Sequence, residues 1–116
     1  TKVKLVTPFP PTVNHEGWPA RVRECAANGG FDIQDIDHII FTQVNIKSIG
    51  IVMEDLGLPV EKAHHVMDKW GYMGSACLPI AFDDAIKLGK IKSGMRVVFC
   101  GSGVGYNQAA TAFIMP

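Results

Sequence analysis

Two short runs of the chain are apolar at every position rather than at every second one. They are Ile39-Ile40-Phe41, which follows His38, and Val97-Val98-Phe99-Cys100. A strand with one face in water alternates in polarity, whereas a strand covered on both faces does not need to. Both runs are rich in β-branched and aromatic residues, and each leads into a stretch of small or polar residues. The segment between them is far too long for a hairpin and carries two helix-like patterns. Buried strands linked through helices imply an α/β fold with parallel pairing and helices on both faces of the sheet.

The rest of the chain fits this frame. Lys2 to Thr7 alternates basic and apolar residues and reads as a half-exposed strand, ended by Pro8, Pro10 and Pro11. Asn14 is placed to cap a helix over about Glu16–Asn28. In it Trp18, Val22, Cys25 and Ala26 make the apolar stripe, and Pro19 is tolerated in the first turn. Asp32 to Asp37 reads as a turn or 3₁₀ segment. A second helix is expected over about Asn45–Leu56, with Ile46, Ile49, Met53 and Leu56 on one face. A short helical turn at Pro59–Glu61 precedes a strand over His64–Met67. A third helix spans about Ser75–Leu88, with Pro79 in its first turn. Strand Arg96–Cys100 then enters a glycine turn, and Ala109–Met115 returns as its antiparallel partner.

Composition narrows the function. The chain of 116 residues is 47% hydrophobic, enough for one domain with a real core. Eleven basic residues balance eleven acidic ones, and no basic block or zinc-like spacing occurs, so binding to nucleic acid is not expected. No apolar run approaches the length of a membrane span. Thr1 to Pro11 lacks the pattern of a signal peptide, and a cytoplasmic location is expected. Cys25, Cys77 and Cys100 have neither disulfide nor metal spacing; burial as small hydrophobes is the plain reading of each.

Three strand-end loops should converge if their strands are parallel neighbours: Thr42–Asn45, Trp70–Gly74 and Gly101–Gly105. Glycines at 101, 103 and 105 permit close backbone approach, although a plain tight turn explains them as well. They precede a strand rather than a crossover helix, so the dinucleotide fingerprint is not matched. Gln43 and Asn45 could orient an amide-bearing ligand, with helix capping as the rival explanation for Asn45. Thr42 and Tyr72 bring hydroxyls to the inferred site. His64 and His65, as neighbours in a strand, face opposite ways. His15 and His38 have no motif around them.

Residues from about Ile33 to Met115 resemble the C-terminal half of beta-ketoacyl-acyl-carrier-protein synthase III, a thiolase-like family. The matching pieces are Thr42-Gln43-Val44-Asn45-Ile46-Lys47, Gly71 through Pro79 with Asp83 and Ala85, Gly89-Lys90-Ile91-Lys92-Ser93-Gly94, and Gly101 to Ala109. The resemblance implies a thiolase-like half-domain with a five-stranded mixed sheet and crossover helices, packed against an N-terminal half and paired into a homodimer. It also implies coenzyme A or phosphopantetheine thioesters as substrates, with no permanently bound cofactor or metal, and an acyl carrier protein as a partner.

By motif match, Thr42 stands at the family's catalytic histidine position and Tyr72 at its asparagine position. Asn45 matches the asparagine that contacts the pantetheine arm. Lys47 matches a basic residue for carrier-protein docking, and Gly101, Ser102 and Gly103 match the active-site glycine turn. The acyl-accepting cysteine of the family lies in the N-terminal half. Two functions therefore stay open: an acyltransferase with non-standard catalytic residues, or a catalytically silent partner subunit of a condensing-enzyme complex.

Overall fold

The computed structural model describes residues 12–41, 46–64, 77–103 and 107–116. Among the described residues, three α-helices, α1 (Thr12–Gly29), α2 (Ile46–Leu56) and α3 (Cys77–Lys87), surround a mixed sheet of β1 (His38–Phe41), β2 (Arg96–Gly103) and β3 (Asn107–Ile114). Single 3₁₀ turns at Ile33–Asp35 and Val60–Lys62 lie where turns were expected.

The sheet order is β1-β2-β3. β1 pairs with β2 in parallel, His38 opposite Val97 and Phe41 opposite Cys100. β2 pairs with β3 as an antiparallel hairpin. Beyond β1, Ile39 makes an isolated parallel bridge to Ala63. Three strands are thus seen among the described residues, against five expected. The strand expected over 2–7 and residues 65–67 of the other lie outside them.

The unbroken apolar runs are explained by two cores, one on each face. Ile39, Phe41, Val98 and Cys100 point into the layer formed by Trp18 and Val22 of α1 with Ile49, Val52 and Met53 of α2. Ile40 and Val97 point the other way, onto Ala81 and Ala85 of α3. On that face Phe82, Phe99 and Phe113 meet edge to face, at centroid distances of 5.2 to 5.7 Å. This edge-to-face contact suits the negative ring face and positive ring edge.

The start of α1 corrects the sequence reading, while its glycine-closed end lies where it was expected. The helix begins at Thr12, so Asn14 lies inside it rather than capping it, and Pro19 is its eighth residue rather than part of the first turn. Proline there leaves the carbonyl of His15 without its intrahelical donor. Burial of Pro19 beside Trp18 offsets that loss. At the other end Gly30 has φ of 70°, and Phe31 N–H donates to the Ala26 carbonyl at 3.1 Å. That six-to-one bond with a left-handed residue is the Schellman stop, which disfavours any side chain at Gly30. Gly57 closes α2 the same way, with Leu58 N–H on the Met53 carbonyl. Cys25 is only half-buried, a weaker member of the apolar stripe than expected.

The first half of the expected glycine turn is strand rather than turn. Gly101, Ser102 and Gly103 continue β2 and pair with Ala109, Gln108 and Asn107. Their backbones are extended and held in the sheet, so the amides are not the open cradle that a loop would supply.

Candidate functional site at the carboxyl ends of the parallel strands

β1 and β2 run in parallel and end side by side, at Phe41 and at the Gly101–Gly103 extension. α1 and α2 both begin at this end of the sheet. Trp18 is 1% exposed and stacks on Phe41 with ring centroids 5.1 Å apart. Its indole N–H donates to Ser102 Oγ at 2.7 Å. A buried indole needs an acceptor, and Ser102 provides one from the neighbouring strand. The serine inside the glycine run is therefore fixed in place by a residue 84 positions away.

One helical turn before Trp18, His15 Nε2 lies 3.0 Å from Ser48 Oγ in the first turn of α2. Ser48 is buried and His15 half-buried. No motif in the sequence marks this pair. Only the packing of α1 against α2 brings residues 33 apart together. Lys47, next to Ser48, is exposed.

Of the residues singled out from sequence, Gly101, Ser102, Gly103 and Lys47 are thus placed at one end of the sheet. Thr42, Gln43, Asn45 and Tyr72 lie outside the described residues, as do His65 and the Trp70–Gly74 loop. Cys100 sits beneath this end, fully buried, and burial pushes its thiol up to about 12. That is an inert core thiol. Burial also raises the thiol of Cys25.

A second polar cluster occupies the opposite, amino end of β1. His64 Nε2 lies 2.6 Å from an Asp84 oxygen, and Lys90 Nζ lies 3.3 Å from the other ring nitrogen. His38 faces the same cleft of about 740 Å³. Its Nε2 is buried without a hydrogen-bond partner among the described residues. Burial first, and then the nearby His64, lower its pKa to about 4. His38 is therefore neutral near pH 7. His64 is buried, whereas His65 lies outside the described residues. Among the described residues no cluster of three or more His, Cys, Asp or Glu could hold a metal ion. No helix among them is long and apolar enough to cross a membrane.

Residues 26–115 match the family model described as 3-Oxoacyl-[acyl-carrier-protein (ACP)] synthase III C terminal. The chain belongs to the synthase III family. A synthase III from Clostridioides difficile is 39% identical over 77 residues, covering 66% of this chain and 24% of that protein. The synthase III of Wolbachia pipientis is 38% identical over 86 residues, covering 74% and 27%. Among solved structures, the synthase III of Thermus thermophilus superposes with a TM-score of 0.87 at 25% identity, over 91% of this chain and 33% of that one. The Pseudomonas aeruginosa enzyme gives 0.88 at 24% identity, again over 91% and 33%, a likeness of fold alone. The chain thus spans about a quarter of the curated relatives it matches and about a third of these two solved chains. Within the synthase III family, the thiolase-like α/β layering read from the sequence is the fold observed.

Proposed function

We propose that this chain is the C-terminal part of a synthase III-like acyltransferase acting on acyl thioesters in fatty-acid or polyketide-type biosynthesis. The observation that carries the reading is the family match over residues 26–115, on a sheet whose two parallel strands end together beside a tryptophan-anchored serine. On this reading the substrates are thioesters of coenzyme A or of a carrier protein's phosphopantetheine, with no resident cofactor. Thr42 and Tyr72 occupy the histidine and asparagine positions and offer hydroxyl donors to the thioester oxygen or to an incoming nucleophile. Gln43 and Asn45 receive the pantetheine amides, Gly101, Ser102 and Gly103 line the site, and Lys47 meets an acidic carrier protein. An N-terminal half supplies the nucleophilic cysteine and the acyl pocket, further strands bring the sheet to five, and the whole protein is a cytoplasmic homodimer.

Loss of both the imidazole and the carboxamide from the motif positions favours a second reading, a catalytically silent subunit of a condensing-enzyme complex. Intact mass of the full-length protein after incubation with a panel of acyl-coenzyme A thioesters separates the two. An acyl-sized mass increase is expected. A folded protein that takes up no acyl group and releases no thiol refutes the acyltransferase reading.

A further inference from the structure

The imidazole that the motif position lacks is present at the same end of the sheet, on a different element. We propose that His15, held by Ser48, is the general base for acyl transfer; this rests on the acyltransferase reading above. His15 lies on α1 one turn before Trp18, whose ring packs on Phe41 at the end of β1 and whose N–H holds Ser102 at the end of β2. The ring is half-buried and secured at one nitrogen, with Nε2 3.0 Å from Ser48 Oγ. Its other nitrogen, Nδ1, makes no hydrogen bond among the described residues. One nitrogen anchored and the other without a partner among the described residues is the arrangement a proton-transferring histidine needs, with the anchor setting tautomer and ring orientation.

With Nε2–H donating to Ser48 Oγ, Nδ1 keeps its lone pair. As an acceptor X–H attacks the thioester carbonyl, its proton passes to Nδ1 and the X–C bond forms. The C–S bond then breaks, and the thiolate takes the proton back from the imidazolium. Thioester and HX become acyl-X and free thiol. Ser48 is a positioning residue here, too buried to meet substrate.

The test uses the full-length protein, acyl-coenzyme A donors and release of free thiol, with either an added alcohol or hydroxylamine as acceptor. An alcohol needs its proton removed as it attacks, whereas hydroxylamine is nucleophilic without a base. His15→Gln can keep a hydrogen bond to Ser48 but cannot carry a proton. It is expected to lower kcat with the alcohol by about 10²–10⁴-fold. Its rate with hydroxylamine should stay within a few-fold of the parent's, and its melting temperature should be unchanged. Ser48→Ala should give a smaller loss with the same selectivity. Equal losses with both acceptors would show that His15 only shapes the site, and a loss under three-fold with the alcohol would show no role; either overturns the proposal. If the parent protein itself releases no thiol, the acyltransferase reading fails, and this inference with it.

Discussion

Replacing His38 by Phe should remove one proton's worth of acid sensitivity from the fold. His38 is buried at the start of β1, its Nε2 has no partner among the described residues, and burial beside His64 lowers its pKa from 6.5 to about 4. In the unfolded chain the imidazole returns to the ordinary value. Between pH 6.5 and 4 the unfolded state therefore binds more protons, and stability must fall as the pH falls through that window. The stabilisation is complete above pH 6.5 and lost by about pH 4. At 1.36 kcal/mol per pH unit, the drop to about 4 corresponds to a ceiling of about 3 kcal/mol. Phe keeps a planar ring in the strand and removes both the titration and the orphan nitrogen. At pH 7.5 the variant should lose nothing beyond about 1 kcal/mol, and relief of an unsatisfied polar atom could make it more stable. Urea midpoints measured every half unit from pH 4.5 to 8 give the slope directly. An unchanged slope in His38→Phe would refute the reasoning, since the acid sensitivity would then belong to another group.

Trp18→Phe removes the indole N–H donated to Ser102 and should cost about 1–2 kcal/mol for the hydrogen bond, beyond the lost ring volume. A double-mutant cycle with Ser102→Ala in urea unfolding should return a coupling of about 1 kcal/mol; strictly additive losses would show that the bond contributes nothing. Cys100 should resist iodoacetamide at pH 8 in the folded protein and react only on unfolding, because burial pushes its thiol to about 12. Rapid labelling of Cys100 under native conditions, read by peptide mass mapping, would contradict that burial.

The elements with a clear local apolar pattern were legible in the sequence. His38–Phe41 was expected with its observed bounds, and α2 and α3 to within two residues. Their signals are local: unbroken β-branched runs, a 3.6-residue stripe, a closing glycine. The start of α1 was misread because Asn14 is a good cap and Pro19 a good first-turn residue, yet burial of Trp18, Pro19 and Val22 extends the helix past both. The glycine run was read as a loop because glycine favours turns. Pairing with Asn107–Ala109 overrides that preference for Gly101–Gly103. Lone histidines were the least legible. His15 meets Ser48 and His38 faces His64 through contacts that span 33 and 26 residues, and no spacing rule reaches that far.

The parallel join between β1 and β2 has a kinetic consequence. Asp37 and Arg96 lock it twice, through Asp37 N–H on the Arg96 carbonyl and Arg96 N–H on the Asp37 carboxylate, across 59 residues of chain. The β2–β3 hairpin closes only a short loop and can form early. β1 can join it only after that long segment has been gathered, a loop-closure cost that must be met before any of the parallel pairs form. Until then Val97, Val98 and Phe99 present an unpaired apolar edge to the solvent. The slow step in folding and the moment of greatest aggregation risk are thus expected to coincide at this one seam.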